Sequence, residues 1–408
     1  MTSGRRDLAL LLSGAAVSTA GSSLSLLAVM VFLRPDGALW VAAALGAEIV
    51  PMVLLAPVAG RLVDRVPNRQ LLVGSLLVQA VALVVAASVG LREGAGPVLL
   101  AAVAVLGVGA TVANPTIAAL IPHLTGEEAA TKAYGWYSAI TQAGFLVGFA
   151  VSGVLLELTS VATVLLLDAA TFLVMGAAVL GLRTQRVPEP HAAGAEGLWI
   201  GFRRVIEDRL LLVGVTGLSA AILATVIVNV AEVFFVLDDI GAGPAAYGLV
   251  TAFWPAAGIL GGWWAGRLVD ERSLFRALAG ASVTMGIALA MAGAVVSLVA
   301  VAVGWVIGGA AAAVQRVTIN ALIRARTTDA ERGRVFAAVA AAFRAGDLIG
   351  LGVGAAVVGL IGARQSLLVS GALTVTVGVV TWLLGRTRLA GHQSPVRGVM
   401  SSSAPPMD

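Results

Sequence analysis

The sequence predicts an all-α membrane protein of twelve transmembrane helices, arranged as two pseudo-symmetric six-helix bundles. Composition carries the first part. Of 408 residues, 59% are hydrophobic and 12% charged, and the mean hydropathy is +0.98. Soluble domains carry about one quarter charged residues, so this chain could not coat a water-facing surface. Repetition carries the second part. Ala59-Gly60-Arg61-Leu62-Val63-Asp64 recurs unchanged as Ala265-Gly266-Arg267-Leu268-Val269-Asp270, and Ala119-Leu120-Ile121 returns as Ala321-Leu322-Ile323. Both offsets lie near half the chain length, which is the mark of internal duplication. In a chain this apolar, two related halves imply packing around a central site.

Apolar runs long enough to cross a hydrocarbon core of about 30 Å fall in order along the chain. The first, 8–33, follows Arg5-Arg6. It is too long for an export-signal core and further spans follow, so the arginine pair reads as an orientation anchor. Next come 39–63, which ends in the repeated motif, then 69–91 and 97–122. The fifth run, 131–157, repeats Gly144, Gly148 and Ser152 every four residues, a pattern that lets a membrane helix pack closely on a neighbour. The sixth is 160–183. After a polar stretch the runs resume at 210–237, 244–268, 274–296, 298–323, 334–360 and 363–385, with the weakest separation around Ser297. A strand reading fails because the runs are too long and lack two-residue alternation.

The implied organisation is an N-terminal bundle (1–183), a linker (184–209), a C-terminal bundle (210–389) and a disordered tail (390–408) containing Ser401-Ser402-Ser403 and Pro405-Pro406. In the linker, Leu198, Trp199, Phe202, Val205 and Ile206 interleave with Arg203, Arg204, Glu207 and Asp208, as in a short helix lying at the membrane interface.

The 26 Lys and Arg residues fall in the terminal segments, the linker and the even-numbered loops, all but five. Arg34, Arg92 and Arg364 lie in odd loops; Arg316 and Arg344 lie within spans. This bias places both termini and the linker in the cytoplasm, with the chain multi-pass in the plasma membrane. It also accounts for a pI near 10.3 without nucleic acid as a partner. The chain has no Cys, and His123, His191 and His392 lie outside the apolar runs and far apart. Nothing resembles a metal triad, a nucleotide loop or a nucleophile with its base. The expectation is therefore no enzyme, no cofactor and no metal, a monomer whose partners are a small-molecule substrate and the lipid bilayer.

The loop from Gly60 through Asp64-Arg65-Val66-Pro67-Asn68-Arg69 resembles the G-x-L-x-D-R-x-G-R-R loop of the major facilitator superfamily, and Gly266 to Asp270 resembles its degenerate second copy. The resemblance implies a latch that closes the cytoplasmic side. Gly60 and Gly266 would admit close helix packing. Asp64 and Asp270 would pair with Arg or face a helix N-terminus. Arg65 and Arg69 would meet lipid phosphate or acids of the other half. Gly107 to Pro115 followed by Leu120-Ile121-Pro122-His123-Leu124, Leu167-Asp168-Ala169-Ala170-Thr171-Phe172, and Arg332-Gly333-Arg334-Val335-Phe336 are similar to the proton-linked drug exporters that include macrolide efflux and enterobactin export proteins. Two features depart from that branch: span 4 has no Arg, and span 5 has no Pro.

Charges at bilayer depth cost at least about 2.5–3.5 kcal/mol each and mark candidate site residues. Glu48 lies near mid-membrane with no opposite charge in its own span, which makes it the leading candidate to carry a coupling proton. Asp168 sits in span 6. Arg344 and Asp347 share a helix face in span 11, as a pair whose acid keeps Arg344 from being stranded. Arg316 reads as a site residue or as an anchor toward the interface. Glu232 falls in the outer half of span 7, partly wet, and Trp254 is deep enough in span 8 to line a cavity. The expected function is secondary active export of an amphipathic small molecule (a drug, antibiotic or siderophore-like compound) by alternating access, energised by the proton gradient. A metabolite or lysolipid uniporter or symporter and a non-transporting sensor or assembly factor are the alternatives.

Overall fold

The computed structural model describes residues 2–89, 94–184 and 196–390, and within them the regular structure is helical throughout. The N-terminal half holds α1 (Thr2–Leu33), α2 (Ala38–Leu54), α3 (Ala56–Val63), α4 (Asn68–Ser88), α5 (Gly96–Thr125), α6 (Glu127–Leu158) and α7 (Val161–Leu180). A linker helix, α8 (Glu196–Glu207), leads to the C-terminal half: α9 (Arg209–Phe234), α10 (Pro244–Ala265), α11 (Glu271–Ala294), α12 (Leu298–Arg326), α13 (Asp329–Ile361) and α14 (Ala363–Ala390). Eleven helices are long and apolar enough to cross a membrane, and α2 with α3 forms the twelfth crossing. The expected tail falls on residues outside the described ones.

The run 39–63, expected as one helix, is broken. Its two pieces meet at Leu55 with a bend of 56°. Pro51 and Pro57 explain the break: each lacks a backbone N–H, and the Pro57 ring would clash with the preceding turn if the helix continued straight. The separation at Ser297 is firm, because its hydroxyl accepts a hydrogen bond from Val299 N and caps α12.

Duplication is visible in the packing. In the N-terminal half the principal contacts join α1 to α6 and α7, α4 to α5 and α7, and α2 to α5. In the C-terminal half they join α9 to α13 and α14, α11 to α12 and α14, and α10 to α12, the same pattern one for one. The closest approaches repeat as well. A Cβ on Gly107 of α5 would collide with the Glu48 carbonyl of α2, and a Cβ on Gly309 of α12 would collide with the Trp254 carbonyl of α10. Both pairs are related by the same offsets as the repeated motifs. The four-residue spacing in α6 acts as read: Gly144 and Gly148 rest on the Ala16 and Ala20 carbonyls of α1, and Ser152 Oγ donates to Leu24 O at 2.9 Å.

The two halves meet chiefly through α6 on α10 and α2 on α13. On the face opposite the linker (the far face), Arg34 pairs with Asp238 at 3.6 Å and Ala245 N donates to the Glu157 carboxylate at 3.0 Å. On the linker face, Val58 and Leu62 of α3 and Trp263 and Trp264 of α10 are exposed. Polar contacts thus join the bundles at the far face.

The linker face of the C-terminal bundle is tied by charge. Asp208 caps α9 by accepting from Leu210 N and Leu211 N at 3.0 and 3.1 Å. Its other oxygen accepts from Arg326 Nε at 2.7 Å, and Arg326 Nη1 reaches Glu271 at 2.6 Å. Three helix ends are thereby held together. The linker helix joins them through Arg204, which donates to Arg326 O at 3.3 Å, while Gly201 lies against the Arg334 backbone. Val205 is buried, whereas Trp199 and Ile206 stay exposed, in keeping with an interfacial helix.

Burial raises the Asp208 carboxyl, but the Arg326 bond and the two backbone N–H bonds outweigh it and hold it below the ordinary aspartate value. A depressed carboxyl contributes stability that is complete above the unfolded value of about 3.9 and lost as pH falls through the lower folded value. Asp208→Ala should cost about 2–3 kcal/mol at neutral pH through loss of cap and ion pair. Asp208→Asn, which still caps, should cost less. Unfolding in detergent checks this, and the Ala deficit should shrink only in strong acid.

Candidate functional site

Between the bundles lies a cavity of about 670 Å³. Most of its wall comes from α9, α10, α12 and α13; α1, α2 and α6 add Leu26, Leu27, Met30, Leu45 and Phe149. Its two ends differ in chemistry. Toward the far face, Trp254 and Trp305 meet edge to face with ring centroids 6.2 Å apart. Trp305 Nε1 donates to Glu232 Oε1 at 2.8 Å, and Thr251 Oγ1 donates to the same oxygen at 2.6 Å. Glu232 is 8% exposed and Tyr247 beside it is 1% exposed. The expectation that Glu232 is partly wet is therefore corrected. α9 turns this position inward against α10 and α12, and the carboxylate is satisfied by protein donors instead of surface water.

Toward the linker face the cavity holds Arg316, Arg344 and Asp347. Arg344 Nη1 lies 4.0 Å from Asp347 Oδ2, and the two side chains are 44% and 26% exposed. Arg316 also acts on Asp347 electrostatically. Arg316 thus points into the cavity, not toward the interface as an anchor. Arg344 is not dependent on Asp347 for its solvation, because it stands in the open part of the cavity. From Trp305 to Arg316 is eleven residues of α12, about 16 Å along the axis. A bound molecule reaching both ends would touch aromatic rings at one and guanidinium groups at the other.

The other two candidate acids lie within the N-terminal bundle. Glu48 lines a smaller pocket, of about 50 Å³, together with Ser22, Ser25 and Gln79. Asp168 is fully buried; its Oδ1 accepts from Thr171 Oγ1 at 3.1 Å, and Oδ2 has no hydrogen-bond partner among the described residues. Glu48 and Asp168 are within electrostatic reach of each other. Arg344 acts on Glu48 from the opposite half. Glu48 is thus less isolated than its own span suggested, because the opposing charge arrives on α13.

The repeated loops occupy the linker face. A Cβ on Gly60 would meet open space and one on Gly266 would meet only its own helix, so neither glycine is a close-packing point in this conformation. Arg65 is exposed. Arg69 turns to its own half: its Nη2 donates to the Leu180 and Leu182 carbonyls at the end of α7, a cation placed on a helix C-terminus. Asp270 caps α11 by accepting from Ser273 N at 2.8 Å, while Asp64 closes α3. The first loop carries Arg65-Val66-Pro67 before α4 begins, and the second has no such insertion before α11.

Several site residues escaped sequence reasoning. Trp305, Tyr247, Thr251 and Phe343 line the cavity but are unremarkable apolar or hydroxyl residues in apolar helices. The duplication held one signal: Glu48 and Trp254 are equivalent under the motif offset, so a site residue in one half marks its counterpart in the other.

A cavity between two pseudo-symmetric bundles is the arrangement of secondary transporters. A family model described as Major Facilitator Superfamily matches residues 7–284 and 213–405. The chain belongs to that superfamily. No curated protein matches it. Among solved structures, a point mutant of the nucleoside transporter NupG superposes with a TM-score of 0.79 at 12% identity, covering 93% of this chain and 99% of that one. The POT family transporter PepTSo gives 0.71 at 10%, covering 94% and 98%. A bacterial homologue of the iron transporter ferroportin in an inward-facing state gives 0.70 at 16%, covering 93% and 98%. At these identities the likeness is one of fold.

An ion pair at 4.0 Å between partly exposed groups contributes about 0–1 kcal/mol. Asp347→Asn should accordingly leave expression and melting temperature within that range of the wild type while altering transport. A large loss of folded protein on size exclusion would return the pair to a structural role.

Proposed function

We propose that this chain exports an amphipathic small molecule, drug-, antibiotic- or siderophore-like, from the cytoplasm by proton antiport. The observation that carries the reading is the two-ended cavity, aromatic around the hydrogen-bonded Glu232 at its far end and lined by Arg316, Arg344 and Asp347 toward the linker face. Such a cavity suits a molecule with a flat apolar body and a polar group. The basic bias of the loops supports a plasma-membrane protein with both termini cytoplasmic, which makes the linker face the cytoplasmic one and the described conformation inward-open. A monomer supplies both halves of the cavity.

Glu48 and Arg344 supply a route for coupling. Their attraction spans the α2–α13 contact, one of the two main junctions between halves. Ionised Glu48 draws α13 toward α2, and a proton on Glu48 removes that attraction. Proton loading and substrate release are then linked through the relative position of the bundles. In proteoliposomes, Glu48→Gln should still bind substrate but lose uphill accumulation driven by an imposed pH difference. Retained accumulation at wild-type level would remove Glu48 as the proton carrier.

The repeated loop is read as a latch that engages when the linker face closes. Asp64→Asn should insert normally and slow transport severalfold. Asp270→Asn should be milder, because Asn caps a helix about as well as Asp. Equal transport by the Asp64 variant and wild type, at matched protein levels, would dismiss the latch.

A further inference from the structure

The polar pocket inside the N-terminal bundle has a chemistry the central cavity lacks. It is rich in oxygens and poor in donors. Gln79 spends its amide on Ser75 O at 3.1 Å, leaving its carbonyl oxygen for the pocket. Ser22 Oγ donates to Ser18 O at 3.1 Å, leaving its lone pairs. Ser25 is 1% exposed, and its Oγ is buried without a hydrogen-bond partner among the described residues. It faces the Asp168 carboxyl, though without the geometry of a hydrogen bond. Glu48 accepts no hydrogen bond from a described residue and completes the wall. Beyond Asp168 and Arg344, no charged residue faces these groups: α1 from 8 to 33, α4 from 70 to 88 and α5 from 96 to 122 carry none.

Buried oxygens without donors are costly unless a proton or a cation satisfies them. The C-terminal bundle shows the contrast. There Ser370, equivalent to Asp168 by the offset of the helix starts Val161 and Ala363, donates to Ala224 O at 2.6 Å. Ser282 accepts from Gln315 at 2.8 Å, and the counterpart of Glu48 is Trp254. The serine at the Asp168 position is paired in one half, whereas in the other Asp168 keeps one carboxylate oxygen without a hydrogen-bond partner among the described residues.

We infer that this pocket is a sodium site, in which Glu48, Ser22, Ser25 and the Gln79 carbonyl oxygen ligate the ion and Asp168 supports it from behind Ser25. Hard cations take oxygen ligands. One carboxylate on the wall with neutral oxygens around it matches a single positive charge. Magnesium would demand octahedral geometry and retained waters, and calcium six to eight oxygens. The pocket volume of about 50 Å³ exceeds the roughly 10–15 Å³ that admits one water, so an ion keeping a water fits. The inference rests on the reading of Glu48 as the coupling acid, and adds that sodium and proton compete for it.

The test is binding of radioactive sodium to the purified full-length chain in detergent, without substrate, at constant ionic strength with choline as the replacement ion. Saturable, stoichiometric sodium binding is expected, displaced by lithium and by acid and not by potassium, calcium or magnesium. Ser25→Ala should weaken it about tenfold, and Glu48→Gln should abolish it with the variant still monodisperse. Absence of saturable binding, or binding untouched by both variants, overturns the site. Displacement by calcium at equal concentration overturns the choice of a monovalent ion. The two readings fail separately. If sodium does not bind but Glu48→Gln loses pH-driven transport, the sodium site falls and proton antiport stands. If sodium binds at Glu48 but the variant still responds to pH, proton coupling falls and the sodium site stands.

Discussion

Close backbone approach between helices is the constraint on which this structure depends. Helices in hydrocarbon gain little by burying apolar side chains on one another, since lipid is equally apolar. What they gain is dense packing where side chains are small. Gly107 on Glu48, Gly309 on Trp254, and Gly144, Gly148 and Ser152 along α1 set the spacing of the bundles. The residues presented by the facing helix at those contacts are then fixed in depth. Glu48 and Trp254 face their pockets at matched depths because glycines on the neighbouring helices let their backbones come near.

Duplication followed by divergence has given the halves different interiors. The C-terminal half lines most of the central cavity with aromatic rings and four charged side chains, Glu232, Arg316, Arg344 and Asp347. The N-terminal half keeps Glu48 and Asp168 inside its own bundle. Most of the cavity wall thus belongs to one half, while Glu48 and Asp168 lie in the other, with Arg344 bearing on Glu48 across the junction. Rocking of the bundles changes the distance between those two groups, which makes the junction the natural place for the two chemistries to meet.

Much of this was legible in the chain. Composition, the Ala59–Asp64 repeat and the small-residue spacing in α6 imply the fold, because each reports a local requirement of the bilayer. Buried charge marked Glu48, Asp168, Glu232, Arg316, Arg344 and Asp347 as unusual, since burial in lipid is costly for any of them. Partnership was not legible. That Trp305 satisfies Glu232, that Arg69 caps α7, and that Arg344 comes within electrostatic range of Glu48 depend on which helix faces which, and single-sequence periodicity does not carry that. The broken second span was visible in Pro51 and Pro57, yet its hydropathy runs on without interruption.

That break alters how the protein sits in its solvent. The seventeen residues of α2 rise about 26 Å, short of a hydrocarbon core near 30 Å. The remainder of the crossing falls to α3, which turns aside by 56°. The membrane beside Glu48 is therefore bridged by a helix that is too short and an elbow that Pro57 keeps from straightening. A bilayer thicker than α2 must thin locally around this elbow, and one of matching thickness need not. Acyl chain length thus bears, as a mechanical load, on the helix that carries the acid.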